Sequence, residues 1–171
     1  MTRLSWSVWV AGGLLVGVIG VRTAAPADET KRPERNARQV LEGYIAAALT
    51  GKTEEAAALA EPGVYLATKE GITDFKHRAN SRPEGDTLEV DIVLASEKKG
   101  EALAVSAPVS VKSDEKAGDG TARLVFTLRK TDKGWLVRTC LGKSHEDAKE
   151  IAEDFRKAHA DVKELPAKPR R

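Results

Sequence analysis

Apolar and polar positions divide the chain into five zones. Residues 4–21 are apolar without a single charge, flanked by Arg3 and Arg22. A polar stretch follows to about residue 33. From Glu34 the apolar residues Ala37, Val40, Leu41, Tyr44, Ile45, Ala48 and Leu49 recur every three or four positions, which predicts one buried helical face. Glu34, Arg35, Arg38 and Glu42 fall largely off it. Gly51 suits a helix C-terminus. Thr53, with Glu54 and Glu55 behind it, predicts the cap of a second, alanine-rich helix running to about Pro62 and Gly63. Residues 64–83 fit either a short helix or an irregular crossing segment. Arg82, Pro83, Glu84, Gly85 and Asp86 read as a turn.

After this turn the period drops to two. Leu88, Val90, Ile92 and Leu94 alternate with Glu89, Asp91, Val93 and Ala95, as in a half-buried strand. Leu103 to Val111 predicts a long second strand, with Pro108 marking an edge or a bulge. Residues 113–120 form a charged loop. A third strand carries Ala122, Leu124, Phe126 and Leu128. Asp132, Lys133 and Gly134 turn the chain into a fourth, with Trp135, Val137, Thr139 and Leu141. Ser144 predicts the N-cap of an amphipathic helix through Ile151, Ala152 and Phe155. Residues 161–171, rich in Pro and Lys, read as a disordered tail. Helices first and strands afterwards predict an α+β domain over 34–160: two N-terminal helices on a curved antiparallel sheet, plus a C-terminal amphipathic helix.

The charged start, the apolar run and the small residues Ala25 and Ala27 have the form of a secretory signal peptide over 1–27, cleaved after Ala27, with 28–33 as linker. The expected localisation is therefore export, periplasmic or secreted. The competing expectation is an uncleaved membrane anchor over 4–21, at the short end of the about 17–25 residues that span a bilayer. Cleavage changes the charge. The full chain of 171 residues has 28 Lys and Arg against 26 Asp and Glu. Losing Arg3 and Arg22 brings the two signs level. With charges interleaved, no concentrated basic surface is left to neutralise phosphates, so nucleic acid is an unexpected partner. The lone Cys140 excludes an intramolecular disulfide.

The helix from Ala37 to Ala48, the turn Leu49, Thr50, Gly51 and Lys52, a second Ala-rich helix, and a sheet closing on Gly134, Trp135, Leu136 and Val137 together resemble the nuclear-transport-factor-2-like cone fold. Its SnoaL-like and ketosteroid-isomerase-like members and its small exported bacterial branch are the nearest in layout. The resemblance covers residues 33–141 and leaves the terminal helix as an addition. It implies a cone-shaped pocket between helices and sheet. Some members of the superfamily place acids, Tyr or His inside that cone for proton transfer, and many others only bind or assemble. The motifs are a layout and carry no catalytic signature.

Candidate chemistry is sparse. His145 and His159 lie on or beside the terminal helix among charged neighbours. His77 stands between Lys76 and Arg78 and reads as a loop histidine. No pair of histidines has metal-ligand spacing, so no metal and no cofactor is expected. Asp91 sits in the register opposite Val90 and Ile92, a solvated strand acid or a pocket acid. Arg138 invites a cross-strand carboxylate. Cys140 has no visible source of thiolate activation. The expected pocket residues are Tyr44, Tyr65, Phe75, Asp91 and Trp135, with Phe126 a further aromatic and no residue assigned as catalytic. The pattern points to an exported, non-catalytic module binding a small apolar ligand or an envelope protein. Homodimerisation is expected through the outer sheet face at Arg123, Val125 and Arg129. One alternative is a pocket isomerase, cyclase or dehydratase using Tyr44, Asp91 or His77, which requires those groups to converge. Another is an envelope-tethered structural protein.

Overall fold

The computed structural model describes residues 34–80, 88–111 and 120–167. The expected signal segment, linker and turn at 82–86, nearly all of the charged loop, and residues 168–171 lie outside the described residues. Helix α1 spans Ala37–Leu49, three residues later than the periodicity begins, because Asn36 caps it. The Asn36 side chain accepts from the Gln39 amide and the Gln39 side chain accepts from the Asn36 amide, both at 3.0 Å. These reciprocal bonds satisfy two otherwise orphaned donors. At the other end Gly51 takes φ 77°. The amides of Gly51 and Lys52 bond back to the carbonyls of Ala48 and Ala47, which closes the helix.

Helix α2 is only Thr53–Ala57. It stops short of the expected Pro62 because the chain then runs along the sheet: Val137 N–H donates to Leu59 O and Glu61 N–H to Val137 O. A 3-10 turn, Tyr65–Ala67, precedes α3, Lys69–Asn80. The ambiguous segment is therefore a full helix that buries Ile72, Phe75 and Ala79. Gly71 permits the tight join, since a Cβ there would collide with the Tyr65 carbonyl.

The sheet is antiparallel and has six strands: β1 Val90–Ser96, β2 Glu101–Ser106, β3 Val109–Val111, β4 Gly120–Thr131, β5 Gly134–Lys143 and β6 Lys163–Glu164. The long second strand of the sequence reading breaks at Pro108 into β2 and β3, which both pair with the same edge of β4. β5 takes the other edge of β4, and β1 joins β2 to β6. Helix α4, His145–Ala158, follows, its N-cap Ser144 accepting from the Asp147 amide at 3.1 Å.

Both faces of the sheet are covered. Inward, Val93, Ala95, Ala102, Ala104, Leu124, Phe126, Leu128, Trp135 and Val137 pack against α1 and α3. Outward, Leu94, Leu103, Val105 and Val125 pack against Ala148 and Ala152 of α4. Two-sided burial explains why the alternation over 88–95 had apolar residues in both registers. The expected dimer face at Arg123, Val125 and Arg129 is thereby corrected at Val125, which α4 covers. Isologous contact there would have to displace that helix.

The expected disordered tail is a second correction. Residues 161–167 return to the sheet, with β6 pairing to Leu94 and Ala95 and the Leu165 amide donating to the Val93 carbonyl at 2.8 Å. Asp161 anchors this strap: its carboxylate accepts from the Lys98 amide at 3.0 Å and from the Ser96 hydroxyl at 2.7 Å. These donors hold the Asp161 carboxyl below its ordinary value, the amide contributing most. Stabilisation from a depressed acid is complete above the unfolded value, about 3.9, and fades as pH falls through the lower folded value. The melting-temperature gap between the chain and Asp161→Asn should accordingly be widest near neutrality and close in strong acid. A gap independent of pH would deny the anchor its charge.

Candidate functional site

The inner face holds most of the expected pocket residues, but as packing. Tyr44 is fully buried in α1, and its hydroxyl donates to the Leu66 carbonyl at 3.1 Å. The Tyr44 and Phe75 rings lie 5.5 Å apart, and Phe75 meets the edge of Phe126 at 5.9 Å. Such tilted and edge-on pairs add to the stabilisation from area alone. Burial, reinforced by Cys140, drives the Tyr44 hydroxyl well above the usual tyrosine value. It is thus a proton donor already committed to a main-chain acceptor. Trp135 is buried in the same cluster.

The other two expected pocket residues are elsewhere. Tyr65 is 57% exposed, on the 3-10 turn. Asp91 lies on the outer face. The pairing of β1 with β2 slips between Val90 and Ile92, so Asp91 is the extra residue of a bulge. Val90 then packs with the inner cluster and Ile92 with the outer one. Asp91 pairs with Arg123 at 2.7 Å, and the Arg123 guanidinium also donates to His145 Nδ1 at 2.8 Å and to the Ser106 carbonyl at 2.7 Å. That network ties the start of α4 to the sheet. His77 is exposed on α3. Tyr44, Asp91 and His77 therefore occupy a sealed interior, the opposite sheet face and a helix surface, and do not converge.

Cys140 is half-buried on the inward register of β5, opposite Phe126. Burial pushes its thiol up to about 12, with Arg78 working against the rise and Asp74 with it. It is a protonated thiol in the neutral range, as the absence of an activating group in its sequence context predicted. Among the described residues, no cluster of His, Cys, Asp and Glu could hold a metal ion.

Three residues that sequence reasoning missed stand out. Arg38 is 5% exposed, where the helical pattern had left it off the buried face. Its Nε donates to Leu165 O at 3.1 Å and its Nη1 to Val90 O at 3.0 Å, so it joins α1 to both the β1 bulge and the strap. Spacing held a signal, since Arg38, Leu41, Ile45 and Ala48 form one stripe. Asp161 is the second. Glu61 is the third: Arg129 approaches its carboxylate at 3.6 Å and Arg138 at 3.5 Å. Its Oε2 is buried and has no hydrogen-bond donor among the described residues. The cross-strand carboxylate expected for Arg138 is thus supplied by the segment after α2.

That acid lies beside an open surface. α4 packs across β1, β2 and β4 and leaves the outer side of β5 to one flank. Leu141 on β5 is 53% exposed, and with Tyr65 it makes up the exposed large hydrophobics among the described residues. Beyond Val137, the free edge of β5 has no main-chain partner among the described residues.

No family model matches the chain, and no curated protein matches it. Among solved structures it is similar to an NTF-2-like protein of unknown function from Shewanella oneidensis, with 14% identity, 63% of this chain and 95% of that one covered, and a TM-score of 0.40. It is also similar to a protein described as a calcium/calmodulin dependent protein kinase II association domain from Xanthomonas campestris. There the identity is 18%, the coverage 61% of this chain and 82% of that one, and the TM-score 0.35.

Proposed function

We propose that the chain is an exported, non-catalytic module that binds a protein partner through its surface. The observation that carries this reading is the contact among Tyr44, Phe75 and Phe126 in the interior, where a small-molecule site would need room. An acid–base enzyme needs titratable groups gathered within reach of one substrate. Asp91 is instead held by Arg123 on the outer face, and the Tyr44 hydroxyl is bonded to Leu66. Among the described residues no helix is long and apolar enough to cross a membrane. The tethered alternative depends on residues 4–21, outside the described part.

The test is thermal unfolding of the purified full chain against a library of small apolar and carbonyl compounds, with Tyr44→Phe alongside. A compound that binds only the folded state raises the melting temperature by mass action. The expected outcome is no compound whose effect depends on Tyr44. A stabilising compound that loses its effect in Tyr44→Phe would replace the interaction module with a ligand-binding cone.

A further inference from the structure

Resting on the interaction-module reading, we propose that the free edge of β5, between Arg138 and Lys143, takes an extended acidic segment of a partner protein as an added strand. Main-chain groups along this edge are paired only at Val137, where Leu59 and Glu61 bond to it among the described residues. An edge strand with unmet donors and acceptors is a template for another strand, and side chains beside it choose which one. Apolar contact is offered by Leu141 in the strand and by Tyr65 on the 3-10 turn that packs against β5.

Charge selects the occupant. Arg129 and Arg138 both have side chains more than half exposed, and they share the single carboxylate of Glu61. Neither contact is a close hydrogen-bonded pair, so two guanidinium groups keep donors facing outward. A second copy meeting this edge antiparallel would bring cationic ends together, since Arg138 and Lys143 bracket the stretch. The bulge at Arg138, where β5 slips against β4 between Thr127 and Leu128, resists such like-with-like pairing in the same way. A segment carrying carboxylates with apolar residues between them meets both the cations and Leu141. Its binding should fall steeply with salt.

The experiment is fluorescence anisotropy of a labelled peptide of mixed Glu and Val residues titrated with the full chain. A Lys and Val peptide and a Pro-interrupted Glu and Val peptide serve as controls, because proline removes the ladder donors. Expected is saturable binding of the Glu and Val peptide, at least about tenfold weaker for either control and for Arg138→Glu or Leu141→Asp. Hydrogen exchange of the wild-type complex, which needs no variant to fold, should slow at residues 139–143. Absence of binding, binding indifferent to these changes, protection elsewhere, binding to anionic vesicles in place of the peptide, or a β5-mediated dimer would each overturn the proposal. If the peptide fails and small molecules still give no Tyr44-dependent response, the edge is wrong and the interaction module stands. A Tyr44-dependent ligand would remove both.

Discussion

Phe126→Ala is expected to lower the free energy of unfolding by about 3–5 kcal/mol, the usual cost of deleting a large buried ring. Phe126 is fully buried on β4, and its cross-strand neighbours are Ala104 on β2 and Cys140 on β5. Neither is large enough to swing into the space the ring leaves. Phase-by-phase relaxation is also restricted from above, where the Phe75 ring is itself held against Tyr44. Against a typical total of about 5–15 kcal/mol, such a loss is a large part of the stability. Urea unfolding of the full chain with Phe126→Ala and Phe126→Leu measures it, the leucine variant losing less because it refills part of the volume. A loss under about 1 kcal/mol for alanine would mean that this ring borders space it does not fill. The interior would then regain its standing as a ligand site, so the stability measurement also tests function.

How far the sequence foretold this arrangement depended on whether a feature was local. Gly51, Ser144 and the turn at Asp132, Lys133 and Gly134 each act within a few residues, and each is found where its chemistry pointed. Tyr44, Phe75 and Trp135 were rightly grouped on the inward side, since periodicity reports burial. Periodicity could not say whether buried rings line a cavity or fill one. Asp91 was lost to a bulge: one extra residue reverses which face the strand's side chains meet, and no residue type marks it. The dimer face was lost to α4, whose amphipathic pattern gives a buried stripe without saying which sheet face it meets. The tail was misread because Pro and Lys content reports solvation, while Asp161 and Leu165 find their partners on β1 and just beyond it.

Arg38→Met is expected to cost about 2–4 kcal/mol and to loosen the strap before the rest of the fold. Methionine keeps the apolar stem that fills the space under α1, so the loss reports the guanidinium. Its removal strands two carbonyls, Val90 O at the β1 bulge and Leu165 O on the strap, which it had served at 3.0 and 3.1 Å. Arg38→Lys should recover only part of the loss, because a single ammonium lacks the fork that reaches two acceptors in different directions. Hydrogen exchange would localise the damage: the Leu165 amide, bonded to Val93 O, should exchange faster while core amides of β4 change less. Arg38 and Asp161 grip opposite ends of the same short segment. Once either lets go, the other has less left to hold, so the double variant Arg38→Met with Asp161→Asn should lose less stability than the two single losses added together. Strict additivity would mean that the strap is fixed at each end independently, and that Arg38 acts through the bulge alone.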